Sequence, residues 1–176
     1  MFGATAQSCG RKRPLGRTAR LGRAKLGRID FTIEEHIDRP VEEVFAYSTD
    51  PDRLATWQTN TVVAERQEPG PLQVGSRLRE VHRAPGGKGL ESIVEVSEYE
   101  RDRTFGLRVV EGTPVHARMT FEPTGDGDGT LLRFNGHGQL TGPMRLAQPL
   151  LGVALKRQFR QQVATLKRVL EDQSSS

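Results

Sequence analysis

Four histidines and one cysteine are the residues of this sequence most able to do chemistry: His36, His82, His116, His137 and Cys9. A zinc site needs such ligands a few positions apart, so that one turn or hairpin can present two of them. These five lack that spacing, and no metal or other cofactor is expected. By strand alternation His36, His116 and His137 fall opposite the apolar residues of their segments, on polar faces. Glu80 and His82 differ, because they stand at i and i+2 and share one strand face with Leu78. A carboxylate beside an imidazole can orient a polar group of a ligand or move a proton. If the segment twists or bulges, with the neighbouring arginines marking the same face, both are simply solvated. Glu35 shares parity with Ile33 and Ile37. It either looks inward, where it needs a partner, or sits at a solvated strand end.

Other suggestive arrangements fall short of their chemistry. Asp126-Gly127-Asp128-Gly129 has the look of a calcium loop but lacks the further oxygen ligands and the closing bidentate Glu, so it reads as a hairpin turn. Gly86-Gly87-Lys88-Gly89 lacks the P-loop spacing and a following helix. Gly136 and Gly138 either bend a strand or leave room for a ligand beside Phe134. Neither G-x-S-x-G nor H-E-x-x-H occurs, so nucleophilic or zinc-assisted hydrolysis has no support. No catalytic constellation is recognisable, and the sequence leaves open whether the protein is an enzyme.

The elements that must position these residues follow from periodicity. Ile29, Phe31, Ile33 and Ile37 alternate with polar residues and predict a half-buried strand. Pro40 opens a short helix with Glu42 and Glu43 near its positive end, and Val41, Val44, Phe45 and Ser48 form its stripe. Asp50-Pro51 is a cap and first-turn signal for a second short helix that turns Leu54 and Trp57 inward. From Thr61 the signals are strands and turns: Val62–Ala64, Leu78–His82 up to a turn at 84–89, then Leu90, Ser92, Val94 and Val96. Phe105, Leu107 and Val109 follow, then Val115, Ala117, Met119 and Phe121, and after the loop 123–129 come Thr130, Leu132 and Phe134. Residues 150–171 keep helical spacing through Leu151, Leu155, Phe159, Val163, Leu166 and Leu170. The order of strand, two short helices, about six strands and one long helix is α+β.

Charge is unevenly placed. Residues 1–28 hold eight basic residues and no acidic ones, so the remainder carries eighteen basic against all twenty-two acidic residues although the whole chain is +4. The high pI therefore belongs to the first segment and does not signal a DNA-binding fold. That segment, dotted with glycine and without an apolar run, is expected to be a disordered basic tail. It suits contact with an anionic surface, a nucleic-acid arm, a transit peptide or a solvated extension. It has no secretory h-region, and no run reaches the ~20 apolar residues that span a bilayer. With the lone Cys9 excluding an internal disulfide, a cytoplasmic protein is expected. The domain is expected over 29–172, with 173–176 as a flexible C-terminus.

The segments IDRPVEEVFAYSTDPDRLATW (37–57), VGSRLRE (74–80), VEVSEYERDRTFGLRV (94–109), FEPTGDGDGTLLRF (121–134) and LKRVLED (166–172) together resemble the START-like, or SRPBCC, superfamily, most closely its polyketide cyclase/dehydrase-type branch. The resemblance implies a helix-grip fold: a curved antiparallel sheet of about seven strands wrapped around a long C-terminal helix, enclosing a cavity for lipids, polyketides or similar molecules. It also implies that Leu78 faces inward, and Glu80 and His82 with it. The expected function is binding of a hydrophobic or amphipathic small molecule. The alternatives are a polyketide cyclase/dehydratase-type enzyme, or a protein or RNA interaction module without ligand. The expected lining is Leu78, Val94, Val96, Phe105, Leu107, Met119, Phe134, Leu155 and Phe159, with Glu80 and His82 as polar anchors.

Overall fold

In a computed structural model of the chain, residues 27–83, 88–113 and 116–173 are described. The basic segment up to residue 26, residues 84–87 that the sequence assigns to a turn, Pro114, Val115 and residues 174–176 lie outside them. The first strand, β1 (Arg28–Ile37), buries Ile29, Ile33 and Ile37 and leaves the alternate polar residues in solvent. It opens at Arg28, one residue before the alternation suggests, and Gly27 ahead of it is already buried.

Proline then redirects the chain twice. Pro40 opens α1 (Val41–Thr49), where its carbonyl accepts from the Glu43 and Val44 amides, both at 3.1 Å. Asp50 caps the next turn: its side chain accepts the Asp52 amide at 3.1 Å, Pro51 starts a 3₁₀ turn (Pro51–Arg53), and α2 (Leu54–Trp57) continues it. Helices this short are marginal alone and depend on what they bury. Leu54 and Trp57 are buried as expected, but the buried set of α1 is broader than its predicted stripe. Tyr47 and Thr49 are buried while Val41 is only half-buried. Tyr47 is held there by the Thr56 hydroxyl at 3.0 Å and by the Arg53 guanidinium, 4.7 Å from its ring centre.

The remaining strands form a meander: β2 (Thr61–Arg66), β3 (Arg77–Arg83), β4 (Gly89–Glu100), β5 (Thr104–Glu111), β6 (His116–Asp126) and β7 (Gly129–Gln139). The sheet order is β1-β7-β6-β5-β4-β3-β2, antiparallel throughout. Register irregularities at Thr61/Val63, Ile93/Val94 and Val96/Glu98 bend the strands and increase their twist. Gly106 lies against the last of these, where a Cβ would come within 2.9 Å of Ser97 Oγ. Strand β6 continues through Pro123, which the sequence pattern assigns to a loop. The proline is tolerated because β6 has there outrun its ladder with β5, which ends at Phe105 and Phe121.

A 3₁₀ stretch (Gly142–Ala147) leads into α3 (Gln148–Asp172), longer at both ends than the predicted 150–171, with Pro149 in its first turn. Helix α3 lies along β1, and its middle meets α2. A curved antiparallel sheet thus grips a long helix, with the short helices closing one end between β1 and β2. This is the expected α+β helix-grip arrangement.

Candidate functional site

The sheet has two unlike ends. At the upper end β1 and β4 start, β3 and β7 finish, and α3 begins; α1 closes the lower end, packing on β6 and β7. Cross-strand register fixes what each end presents to the helix. The lower row runs Ile33, Phe134, Phe121, Phe105 and Tyr99. Phe121 meets Phe134 at 4.7 Å and receives the Trp57 ring edge-on at 5.8 Å. The next row up is Phe31, Gly136, Met119, Leu107 and Val96. Gly136 has no room to spare: a Cβ would come within 2.3 Å of the Phe31 ring, which occupies the place a side chain would take. Gly138, one row higher, would place a Cβ no closer than 3.7 Å to Ile29, so space remains at that level.

The residues expected to line a cavity divide between these ends. Leu78, Val94, Val96, Phe105, Leu107 and Phe134 are fully buried and pack in one cluster with Trp57 and Phe121. Met119, Leu155 and Phe159 are half-buried, and so are Phe31 and Val109 near them in the register. Phe159 stacks on Phe31 at 5.4 Å and on Phe134 at 5.0 Å, and so marks the boundary between packed and open regions. Along the edge of β1, beside the first turns of α3, an open groove of about 280 Å³ is lined by charged Arg28, Asp30 and Lys156 as well as by Ile29, Phe31 and Gly152, with exposed Val153 at its rim.

Glu80 and His82 turn inward at the upper end, in the row above Leu78. Glu80 is 2% exposed, opposite buried Ser92. A buried carboxylate needs a partner, and His82 supplies it: Nε2 lies 3.0 Å from Glu80 Oε2. The other ring nitrogen, Nδ1, lies 3.2 Å from Thr61 Oγ1, whose hydroxyl donates to Gln58 Oε1 at 2.8 Å. His82 thus bridges the Glu80 carboxyl group and the Thr61 hydroxyl, and the pair is a buried hydrogen-bonded dyad whose near neighbours Ser92, Thr61 and Gln58 are polar.

Thr61 and Gln58 do not stand out in the sequence, because the irregular register at Thr61/Val63 hides which residue faces His82. Gln162 is also hidden, within the apolar stripe of α3. It is fully buried, donates to Asn60 Oδ1, and leaves its Oε1 unpartnered, as is the Trp57 Nε1–H. Glu35 lies apart from all of these, half-buried and 3.7 Å from Lys167 Nζ. His36, His116 and His137 are exposed. His137 Nδ1 lies 2.7 Å from Asp30 Oδ1, and this contact, with help from Arg28, holds the Asp30 carboxyl below the usual carboxylate range. Among the described residues no group of three or more His, Cys, Asp or Glu is placed to hold a metal, and no helix is long and apolar enough to cross a membrane.

Known structures share this architecture at low identity. TTHA0849, a protein of Thermus thermophilus, superposes with a TM-score of 0.70 at 19% identity, covering 82% of this chain and 99% of its own. The di-domain ARO/CYC StfQ from the steffimycin biosynthetic pathway gives a TM-score of 0.70 at 12% identity over 85% of this chain and 52% of its own. Ara h 8.0201 gives 0.64 at 11% identity, covering 83% of this chain and 99% of its own. No curated protein matches the sequence. The family model described as polyketide cyclase / dehydrase and lipid transport matches residues 28–171, from the first residue of β1 almost to the end of α3, and the chain belongs to that family.

Proposed function

We propose that the protein binds a hydrophobic or amphipathic small molecule at the upper end of the sheet, with the Glu80–His82 dyad gripping its polar group. The ligand would lie between the first half of α3 and the rows carrying Phe31, Met119 and Val109, with Phe159 as its floor. The observation that carries this reading is the dyad itself. A buried ion pair is often no more stabilising than apolar residues of the same volume. A fully buried glutamate paired with a histidine is therefore better explained by a use than by stability. Membership of a family described by cyclase, dehydrase and lipid-transport functions supports the hydrophobic class of ligand.

The dyad also favours a second reading, a cyclase/dehydratase-type enzyme in which the Glu80–His82 pair is the proton-transfer group at the ligand. Titration with the apolar fluorophore 1-anilinonaphthalene-8-sulfonate tests the first reading. Phe159→Leu should change its affinity several-fold with the fold retained, and His82→Gln should change it modestly. If neither substitution alters binding, the upper end is not the site. Proton-deuterium exchange beside the carbonyl of a long-chain monoketone tests the second: exchange by the native protein that His82→Gln abolishes supports an enzyme, and none above the solvent rate removes that reading.

A further inference from the structure

The outer face of the segment that covers the upper end is apolar. Leu146, Leu150 and Val153 are 79%, 80% and 72% exposed. On α3, Leu150, Val153, Ala154 and Arg157 stand at i, i+3, i+4 and i+7, so they form one stripe turned away from the sheet. Large apolar side chains grouped in this way on a helix surface call for a partner.

Charge narrows the choice of partner. From Gly129 to Leu170 the sequence contains no Asp or Glu. Arg157 ends the stripe and Arg145, Lys156 and Arg160 flank it, and no carboxylate among the described residues pairs with them; the ion pairs of α3 are made further on, by Lys167 with Glu35 and Glu171. A second copy seated on this face would bring two sets of these cations together, which disfavours self-association. RNA would satisfy the cations and leave Leu146, Leu150 and Val153 unexplained. An anionic bilayer satisfies both, with leucine and valine entering the acyl boundary and the basic stems reaching the headgroups.

The preceding chain adds to the same charge. The Gly27 amide donates to Gln148 Oε1 at 2.8 Å, and Gln148 Nε2 donates to the Arg28 carbonyl at 2.7 Å. The fold thus begins beside the first turn of α3. The 26 residues before Gly27 carry seven basic side chains and no acidic one. Stable attachment to a membrane surface generally needs two signals, and an apolar stripe and a polybasic segment in one chain supply both.

We propose that the face carrying Leu146, Leu150 and Val153, within its ring of arginine and lysine, docks on an anionic lipid bilayer. The proposal does not depend on the ligand reading, but docking there would set the open upper end at the membrane surface. Vesicle co-sedimentation of the full chain tests it, comparing phosphatidylcholine vesicles with vesicles in which a third of the lipid is phosphatidylglycerol. The protein should pellet with the second and not the first, and high salt should release it. The double substitution Leu150→Glu, Val153→Glu should weaken binding roughly tenfold or more while circular dichroism and thermal midpoint stay unchanged, since both positions face outward. Unchanged binding by that variant would overturn the proposal and leave the basic segment as the only attachment. So would a native dimer that Leu150→Glu dissociates, or failure of the native chain to bind either vesicle.

Discussion

The two halves of α3 rest on the same sheet and do different things. The C-terminal half buries Gln162, Val163, Leu166 and Leu170 and is tied to the end of β1: Arg39 Nε donates to the Leu170 carbonyl at 2.8 Å and the Asp38 amide to Glu171 Oε1 at 3.0 Å. The N-terminal half holds Leu151, Leu155 and Phe159 only half-buried, and its outer residues face solvent. Trp57, Phe121 and Phe134 pack in one cluster with Val163, Leu166 and Leu170 of the C-terminal half; Ile29, the ladder partner of Gly138, meets Gly152 in the N-terminal half. On the proposed function, stability and recognition are separated along one helix. The lower end can be packed as tightly as any core, because the upper end does not have to be.

The largest effect should come from the packed end. Trp57→Ala should cost about 3–5 kcal/mol in urea unfolding, whereas Phe159→Leu, at the boundary, should cost less than about 1.5 kcal/mol. Equal losses would erase the distinction between the ends.

A middle-sized effect concerns the dyad. Glu80→Leu alone leaves His82 without its partner and should cost about 1–3 kcal/mol. Glu80→Leu combined with His82→Leu should leave stability close to native or raise it. A double variant much less stable than the single one would make the dyad a structural brace.

The smallest effect lies on the outer surface of β1. The Asp30 carboxyl titrates below its ordinary value in the folded state because His137 and Arg28 favour the carboxylate. Its stabilising contribution is therefore present above the unfolded carboxylate pKa and lost as pH falls through the lower, folded one. The pair is exposed, so its worth is ~1 kcal/mol at most. His137→Gln should move the Asp30 titration, followed by NMR, back toward ordinary carboxylate values.

Local chemistry was legible in the sequence. The Asp50-Pro51 cap, the alternation of β1 and the inward parity of Leu78, Glu80 and His82 depend on neighbours a few positions away, and each is seen in the fold. What the sequence did not convey depends on register across many strands. Six of the residues expected to line a cavity are buried in one cluster with Trp57 and Phe121, because strands β4 to β7 bring an aromatic row together there. Gly136 answers to Phe31, more than a hundred residues earlier, so neither bending nor ligand space accounts for it. Tyr47 is buried through Thr56 and Arg53, partners on a different helical element that its own helical stripe does not name.

The pairing of β1 with β7 has a consequence for the protein's synthesis. β1 leaves the ribosome first among the strands, yet its ladder partners, such as Gly138 for Ile29, come roughly a hundred residues later. The helix it lies against comes later still, with Asp38 and Glu171 separated by 133 positions. Until then the meander from β2 onward can assemble while β1 waits with Ile29, Phe31 and Ile33 uncovered. A nascent chain of this fold is most open to chaperone capture, or to pairing with a neighbouring chain, in the interval between the emergence of β1 and that of β7.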